Sequence, residues 1–108
     1  MIPPNYERIG TISELSAAGQ FTRWVKNHDI VVFRADGRIR AYSNVCPHFG
    51  GPIGFHKIRE NVFTCLWHNL QYRTSDGQCL TLKFKLREYK TEVENETIYV
   101  QLVESDRP

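Results

Sequence analysis

Two short segments of the chain carry side chains that can bind a metal. In the first, Cys46 and His48 are separated by one residue. In the second, which begins after a further sixteen residues, Cys65 and His68 are separated by two. Each spacing brings a thiol and an imidazole to one end of a turn, and four such donors suit a soft or borderline metal. The sequence therefore predicts a zinc site or an iron–sulfur cluster.

The composition of each segment helps to choose between these two metals. Each segment pairs a Cys with a His, whereas a zinc finger more often pairs Cys with Cys and His with His. The segment that follows His48, Phe49-Gly50-Gly51-Pro52, predicts a turn that can bring its backbone close to an inorganic core. Both features favour an iron–sulfur cluster, and a structural zinc domain is the alternative outside redox chemistry.

The complete pattern, C-x-H-x16-C-x2-H with Gly-x-Pro after the first His, resembles the Rieske iron–sulfur family. In that family two His replace two Cys on one iron of a [2Fe–2S] cluster. The resemblance implies one such cluster per chain. It implies that Cys46 and Cys65 bind the inner iron. It also implies that His48 and His68 bind the outer iron, near the surface through which the electron leaves.

Three further residues are expected to lie around the cluster: Gly50, Trp67 and Tyr72. High-potential Rieske proteins have hydroxyl donors two and four residues after the second ligand His. Here the first of these positions is Leu70, which cannot donate, and the second is Tyr72, which can. The resemblance therefore implies a potential toward the low end of the Rieske range of about −150 to +300 mV.

The chain departs from the family pattern beside the second ligand pair and after it. Leu66 stands where the family commonly has Pro, and Asn69 stands where it commonly has Gly. Because Asn adopts a positive φ more readily than most residues, we expect Asn69 to be tolerated. The segment after Asp76-Gly77 lacks the Pro that the family usually packs over the cluster. We therefore expect the cover over the cluster to differ, and the ligand set to be retained.

The elements that must hold these loops are predicted to be short strands. Asp36-Gly37 between two β-rich runs predicts a hairpin. The segment Thr81–Tyr89 alternates, with Leu82, Phe84 and Leu86 predicted to face inward. Further strands are predicted at residues 6–9, 21–25, 55–58, 61–64, 70–73 and 97–102, with a loop or one helical turn at 13–19. This pattern indicates an all-β antiparallel sandwich or barrel.

The resemblance to the Rieske family selects a β-sandwich with a small cluster-binding subdomain. We expect residues 1–108 to form one domain, with the subdomain at about 43–77. The length of 108 residues and the 41% of apolar side chains agree with a single domain that has its own core. The formal net charge of +2 gives no reason to expect nucleic-acid binding.

The third cysteine, Cys79, has no partner for a disulfide if the other two bind metal. This agrees with a reducing compartment, and we expect Cys79 to be a buried residue without chemistry. The N-terminus does not have the pattern of a signal peptide, and no apolar run is long enough to cross a membrane. The expected protein is soluble, cytoplasmic and independent of membranes.

The four donors complete the coordination, so no metal position is open to a substrate. The remaining histidines, His28 and His56, lie in no ligand-like motif, and we see no room for the catalytic domain of Rieske oxygenases. The resemblance therefore implies a soluble, oxygenase-associated Rieske-type ferredoxin, which is an electron carrier and not an enzyme. Its expected partners are an NAD(P)H-dependent flavin reductase and a terminal oxygenase of an aromatic-ring or related hydroxylating system.

One alternative is a small Rieske-like subunit or redox sensor of a larger oxidoreductase, such as a nitrite reductase. The Rieske proteins of respiratory and photosynthetic membranes usually carry an extra Cys in each ligand loop. Here those positions hold Gly51 or its neighbours and Trp67. The sequence therefore favours the oxygenase-associated branch.

Overall fold

Antiparallel strands joined by tight turns make up most of the computed structural model, which describes residues 2–48, 50–67 and 69–102. Phe49 and the predicted ligand His68 lie outside the described residues. The predicted all-β fold is confirmed. The described elements, in chain order, are β1 (Tyr6–Thr11), α1 (Ile12–Ala18), β2 (Gln20–Val25), β3 (His28–Ala35), β4 (Arg38–Ser43), β5 (Val62–Thr64), β6 (Gln71–Arg73), β7 (Glu88–Tyr89), β8 (Thr91–Glu94) and β9 (Thr97–Gln101).

The strands form three layers, with β3 in the middle one. One sheet has the order β1-β9-β8, a second has the order β2-β3-β4-β7, and β5 pairs with β6 as a separate hairpin. Ile30 and Val32 of β3 pack with residues of the first sheet, whereas Val31 and Phe33 pack with residues of the hairpin. Because successive side chains of a strand point to opposite faces, β3 must be apolar at consecutive positions to be covered on both sides.

Two local signals in the sequence are realised as turns and caps. Asp36 and Gly37 have positive φ angles of 53° and 73°, as the two-residue hairpin between β3 and β4 requires. Thr11 and Glu14 form a reciprocal capping box that starts α1. The helix has only seven residues, and within the described ranges no helix is both long and apolar enough to cross a bilayer.

Three aromatic rings join the β5–β6 hairpin to the second sheet. The ring of Phe63 on β5 lies 4.9 Å from that of Phe33 and 6.1 Å from that of Tyr42, and these last two stack at 5.3 Å. The Tyr42 hydroxyl donates a hydrogen bond to the Thr74 carbonyl at 2.9 Å. Such ring pairs stabilise a core beyond the area they bury, so the hairpin has a fixed position on the sheet.

Asn44 connects the end of β4 to both neighbouring segments. Its backbone N–H donates to the Asp29 carbonyl at 2.8 Å, and its side-chain amide donates to the Asp29 carboxylate at 3.2 Å. In the other direction, Asn44 Oδ1 accepts from the Gly54 N–H at 2.6 Å, and the Asn44 carbonyl accepts from Ile53 at 2.9 Å. Asn44 thus fixes the chain two residues before Cys46.

Two predicted strands are wrong. In the segment predicted as a strand from Thr81 to Tyr89, only Glu88–Tyr89 is a strand, and Leu82 is exposed instead of facing inward. Cys79 N–H donates to the Phe84 carbonyl at 2.9 Å, so the chain closes on itself as a loop. The segment 55–58 is also irregular. Alternation describes burial, whereas a strand also needs a neighbour for its backbone hydrogen bonds.

We predict that Asn44→Ala lowers the free energy of unfolding by about 1–3 kcal/mol, because it leaves the part-buried Gly54 N–H without its acceptor. Chemical denaturation followed by circular dichroism measures this change. Asn5→Ala is the control, since Asn5 is exposed, and its effect should stay within about 0.5 kcal/mol. Equal stability of the two variants would show that Asn44 does not hold the loop.

Candidate metal centre

The first ligand loop follows β4 and closes around Cys46. The Cys46 N–H donates to the Gly51 carbonyl at 2.9 Å, and the Gly50 N–H donates back to the Cys46 carbonyl at 2.7 Å. Gly50 has a φ of 79°, which lies in the left-handed region that Gly adopts without strain. The chain therefore makes the turn that the glycine pair after His48 predicts.

The second ligand loop joins β5 to β6 and lies beside the first. The Cys65 N–H donates to the Leu70 carbonyl at 2.8 Å, which closes this loop. The Leu66 N–H donates to the Pro52 carbonyl of the first loop at 3.3 Å. Asn69 has a φ of 53°, so Asn adopts here the left-handed conformation for which the family pattern uses Gly.

The two predicted thiol ligands are buried next to each other. Cys46 is 2% exposed and Cys65 is 1% exposed, and both belong to the same buried apolar cluster. Burial raises the pKa of the Cys65 thiol to about 11, the Trp67 N–H opposes this rise, and the Cys46 thiol adds to it. A metal that binds here must therefore displace a proton from Cys65.

Gly51 lies directly against the Cys65 sulfur. A Cβ atom added at Gly51 would lie 2.9 Å from Cys65 Sγ and 3.0 Å from both Cβ and Cγ of Trp67. The backbone of the first loop thus packs on Cys65, a predicted ligand in the second loop, and only Gly allows this approach. Trp67 covers this contact and is half exposed. This role of Gly51 was not predicted, although the Gly50-Gly51 pair is a signal that could have indicated it.

Tyr72, predicted to lie near the cluster, contacts the Cys46 sulfur. Its buried hydroxyl oxygen lies 3.2 Å from Cys46 Sγ. Burial, and secondly the adjacent Cys46 thiol, raise the pKa of the Tyr72 hydroxyl well above its ordinary value, so the proton stays on the oxygen. A metal-bound thiolate has no proton to give and can only accept. In that state the Tyr72 hydroxyl must be the donor.

His48 lies under the segment that connects β6 to β7. Its ring centroid is 5.5 Å from that of Phe84, and its Nδ1 atom is buried. Phe84 was expected on the inward face of a strand, so its place over the first ligand loop was missed. Gly50, two residues after His48 in this loop, is exposed. His68 lies outside the described residues, so only one member of the predicted imidazole pair is described.

Cys79 is the third buried thiol and belongs to the same apolar cluster as Cys46 and Cys65. Burial opposes its ionisation, but the backbone N–H groups of Thr81 and Leu82 outweigh burial and lower the pKa of the Cys79 thiol. The expected burial of Cys79 is therefore observed, together with a polar environment that was not predicted.

The donors fit a [2Fe–2S] cluster of mixed ligation. In the described part of the chain, no three side chains of His, Cys, Asp or Glu gather closely enough to hold one metal ion. A Rieske cluster takes only two protein donors per iron, and the adjacent thiols of Cys46 and Cys65 meet that need for one iron. His48, with a buried ring nitrogen on the first loop, can supply half of the other pair.

Comparison with known proteins agrees with this donor set. The family model described as "Rieske [2Fe-2S] domain" matches residues 5–91. A curated relative, the vanillate O-demethylase oxygenase subunit of Pseudomonas sp. (strain HR199 / DSM 7063), is 29% identical over 72 residues. That alignment covers 66% of this chain and 20% of the relative, so the chain spans about a fifth of the relative's length.

Solved structures with the same fold include a ferredoxin and an oxygenase. The ferredoxin of carbazole 1,9a-dioxygenase from Nocardioides aromaticivorans IC177 has a TM-score of 0.77 at 21% identity, over 90% of this chain and 97% of that chain. The terminal oxygenase of carbazole 1,9a-dioxygenase from Novosphingobium sp. KA1 has a TM-score of 0.78 at 16% identity, over 96% and 31% of the respective chains.

A cyanobacterial plasma membrane Rieske protein from Synechocystis PCC 6803 has a TM-score of 0.75 at 24% identity, over 89% of this chain and 99% of that chain. Identities this low show likeness of fold. The fold is therefore shared by proteins that act in different settings, and the fold alone does not choose among them.

We predict that Gly51→Ala removes most of the bound iron and acid-labile sulfide, because the new methyl group overlaps Cys65 Sγ and forces the two loops apart. Iron and sulfide analysis of the purified protein measures this loss. Gly37→Ala is the control: it also adds a methyl group, but nothing lies within 4 Å of it, so it should cost only backbone strain. Full iron and sulfide content in Gly51→Ala would contradict the close contact of the loops.

Proposed function

The chain belongs to the Rieske [2Fe–2S] domain family, and from this premise we propose that it carries single electrons to a terminal oxygenase. The electron donor in this proposal is an NAD(P)H-dependent flavin reductase. The proposal depends most on one observation: the buried thiols of Cys46 and Cys65 lie in two loops that are joined by a backbone hydrogen bond. When bound, a [2Fe–2S] cluster supplies a centre that accepts and releases one electron.

We assign the ligands in two pairs. Cys46 and Cys65 bind the inner iron as thiolates, and their burial keeps water away from that side of the site. His48 and His68 bind the outer iron through ring nitrogens. This assignment is supported by the burial of both thiols in one apolar cluster and by the buried Nδ1 of His48, and it leaves no coordination position for a substrate.

The electron leaves through the surface around the imidazole pair. Gly50 is exposed and Trp67 is half exposed, and both belong to the ligand loops. A partner that docks on this surface reaches the outer iron without crossing the apolar core around Cys46 and Tyr72. Gly50 and Trp67 are therefore the described residues that we place in the docking surface.

Three named relatives support an oxygenase as the acceptor. The whole length of a carbazole 1,9a-dioxygenase ferredoxin is similar in fold to this chain. A second structure, with a TM-score of 0.77 at 16% identity, is described as a complex of reduced oxygenase and oxidised ferredoxin of carbazole 1,9a-dioxygenase. The curated relative is named as the oxygenase subunit of a vanillate O-demethylase. Carbazole and vanillate are both aromatic, which supports a system that oxidises aromatic compounds.

We predict that the purified protein takes up one electron per chain and passes it to an oxygenase, without converting substrate alone. Reduction by NADH and a flavin reductase, followed by visible spectroscopy, measures the uptake. Cys46→Ser and Cys65→Ser should each abolish the uptake together with the bound iron. Cys79→Ser is the matched control, because Cys79 is equally a buried thiol but is not assigned as a ligand. Hydroxylation by this chain with only a chemical reductant would overturn the carrier assignment.

We predict that Tyr72→Phe lowers the reduction potential, because the hydroxyl stabilises the more electron-rich reduced state through the Cys46 sulfur. A hydrogen bond that contributes about 1 kcal/mol corresponds to about 40 mV for one electron. Leu70→Ser should raise the potential, since it adds a donor that the chain lacks. Protein-film voltammetry measures both changes.

Tyr42→Phe provides the control for the Tyr72 variant. It removes a buried hydroxyl from the same apolar cluster, but that hydroxyl donates to the Thr74 carbonyl and not to a sulfur. Its potential should equal that of the wild type. If Tyr72→Phe also leaves the potential unchanged, then Tyr72 only fills space in the core.

A further inference from the structure

A cationic cavity lies beside the second ligand loop. Its volume is about 360 Å³, and its described lining residues are His56, Lys57, Arg59 and Thr64. Every one of these side chains can donate a hydrogen bond, and Lys57 and Arg59 carry permanent positive charges. No carboxylate is among the described lining residues. The cavity is therefore suited to negatively charged groups.

The two permanent charges are not neutralised within the described part of the protein. The ion pairs of the described residues involve Arg23, Lys26, Arg40 and Arg73, and they leave Lys57 and Arg59 without a carboxylate partner there. Both side chains are exposed. A negative group that enters the cavity can therefore pair with Lys57 and Arg59 without first breaking an ion pair inside the described part of the protein.

The backbone that presents these charges is held in place. The side-chain amide of Gln20 donates to the His56 carbonyl at 3.1 Å and accepts from the Ile58 N–H at 2.7 Å, so it brackets Lys57. Arg59 and Val62 exchange backbone hydrogen bonds at 3.0 and 3.2 Å across a two-residue turn. Because the backbone is already ordered, binding here has less conformational entropy to lose.

The position of the cavity places it next to the metal centre. Thr64 is the last residue of β5, and Cys65 follows it directly. Phe63 points into the core, so Thr64 lies on the opposite face of the strand, where the cavity opens. A group bound in the cavity therefore lies beside the second ligand loop.

An exposed ring beside the cavity indicates the kind of occupant. Phe55 is 65% exposed, and its ring packs edge-on against that of His56 at 5.2 Å. An exposed aromatic ring contributes nothing to the binding of a small inorganic anion. Aromatic residues and Arg are enriched at protein–protein interfaces. The combination thus favours an acidic protein surface over a free anion.

We propose that the cavity and Phe55 belong to the same docking surface as Gly50 and Trp67, and that this part of it receives acidic side chains of the electron-transfer partner. This proposal rests on the proposed function, because it assigns the partner a charge and a place of contact. Carboxylates of the partner enter between Lys57 and Arg59, and an apolar group of the partner covers Phe55. Long-range attraction between the two surfaces then accelerates their encounter.

The first experiment uses small oxidants, so it does not need the natural partner. The dithionite-reduced protein gives one electron to ferricyanide, an anion, or to hexaammineruthenium(III), a cation, and stopped-flow absorption follows each reaction. In the double variant Lys57→Gln/Arg59→Gln we expect the ferricyanide rate to fall about tenfold at low ionic strength. The rate with the cationic complex should not fall, and the difference between the proteins should vanish in high salt.

A matched variant separates the local effect from net charge. Arg34→Gln/Arg38→Gln also removes two exposed cations, at the end of the β3–β4 hairpin that is farther from the ligand loops. This pair should lower the ferricyanide rate less than Lys57→Gln/Arg59→Gln does at the same ionic strength, because its charges lie at the far end of β4 and attraction falls with distance. An equal loss in both double variants would overturn the proposal.

The second experiment measures binding without any electron transfer. Isothermal titration calorimetry with a hexaglutamate peptide should show saturable binding that Lys57→Gln/Arg59→Gln abolishes and Arg34→Gln/Arg38→Gln retains. Phe55→Ser should weaken binding of a glutamate-rich peptide that contains a Leu, and should not affect hexaglutamate. Binding of inorganic phosphate without binding of either peptide would assign the cavity to a small anion and overturn the docking surface.

The two experiments separate failure of this inference from failure of the proposed function. Equal rates with ferricyanide in the wild type and in Lys57→Gln/Arg59→Gln, from a protein that takes up one electron per chain, would reject the docking surface alone. A protein that takes up no electron would reject the carrier function, and the peptide titration would then decide the cavity by itself.

Discussion

The close approach of two buried thiols, Cys46 and Cys65, is the constraint on which the rest of the structure depends. The two residues belong to loops that follow different strands, so their contact has to be fixed by tertiary structure. Asn44 holds the first loop to β3, and three aromatic rings hold the β5–β6 hairpin to the same sheet. Gly51 then lets the loops meet, because a single methyl group would separate them.

The apolar core around the site also sets its electrostatics. Burial raises the pKa of the Cys65 thiol, so a vacant site would hold protons and a loaded site would hold thiolates. The Tyr72 hydroxyl keeps its proton for the same reason, and it stands 3.2 Å from the Cys46 sulfur. The site has low polarity and one hydroxyl donor, Tyr72. A second donor is missing, because Leu70 stands two residues after His68, where high-potential Rieske proteins have a hydroxyl. Both features favour a reduction potential toward the low end of the Rieske range.

The charged surface is distributed unequally around this apolar core. Lys57 and Arg59, like Arg34 and Arg38, form no ion pair with a described carboxylate, whereas Arg23, Lys26, Arg40 and Arg73 do. Exposed ion pairs contribute little stability and cancel much of each other's field. The unpaired cations beside the second ligand loop therefore have a larger influence on an approaching partner than their number suggests.

The sequence by itself determined the spacing of the predicted Cys and His ligands, the two-residue turn at Asp36-Gly37 and the all-β class, because these follow from local spacing and backbone preference. It also indicated that Asn69 could replace Gly, and its φ of 53° agrees. It did not determine the segment 81–87, where alternation predicted a strand and backbone bonds within the chain produced a loop over His48. The contact of Gly51 with Cys65 and the position of Lys57 and Arg59 beside Thr64 in one cavity also depended on tertiary structure. These contacts join segments whose separation in space no local pattern encodes.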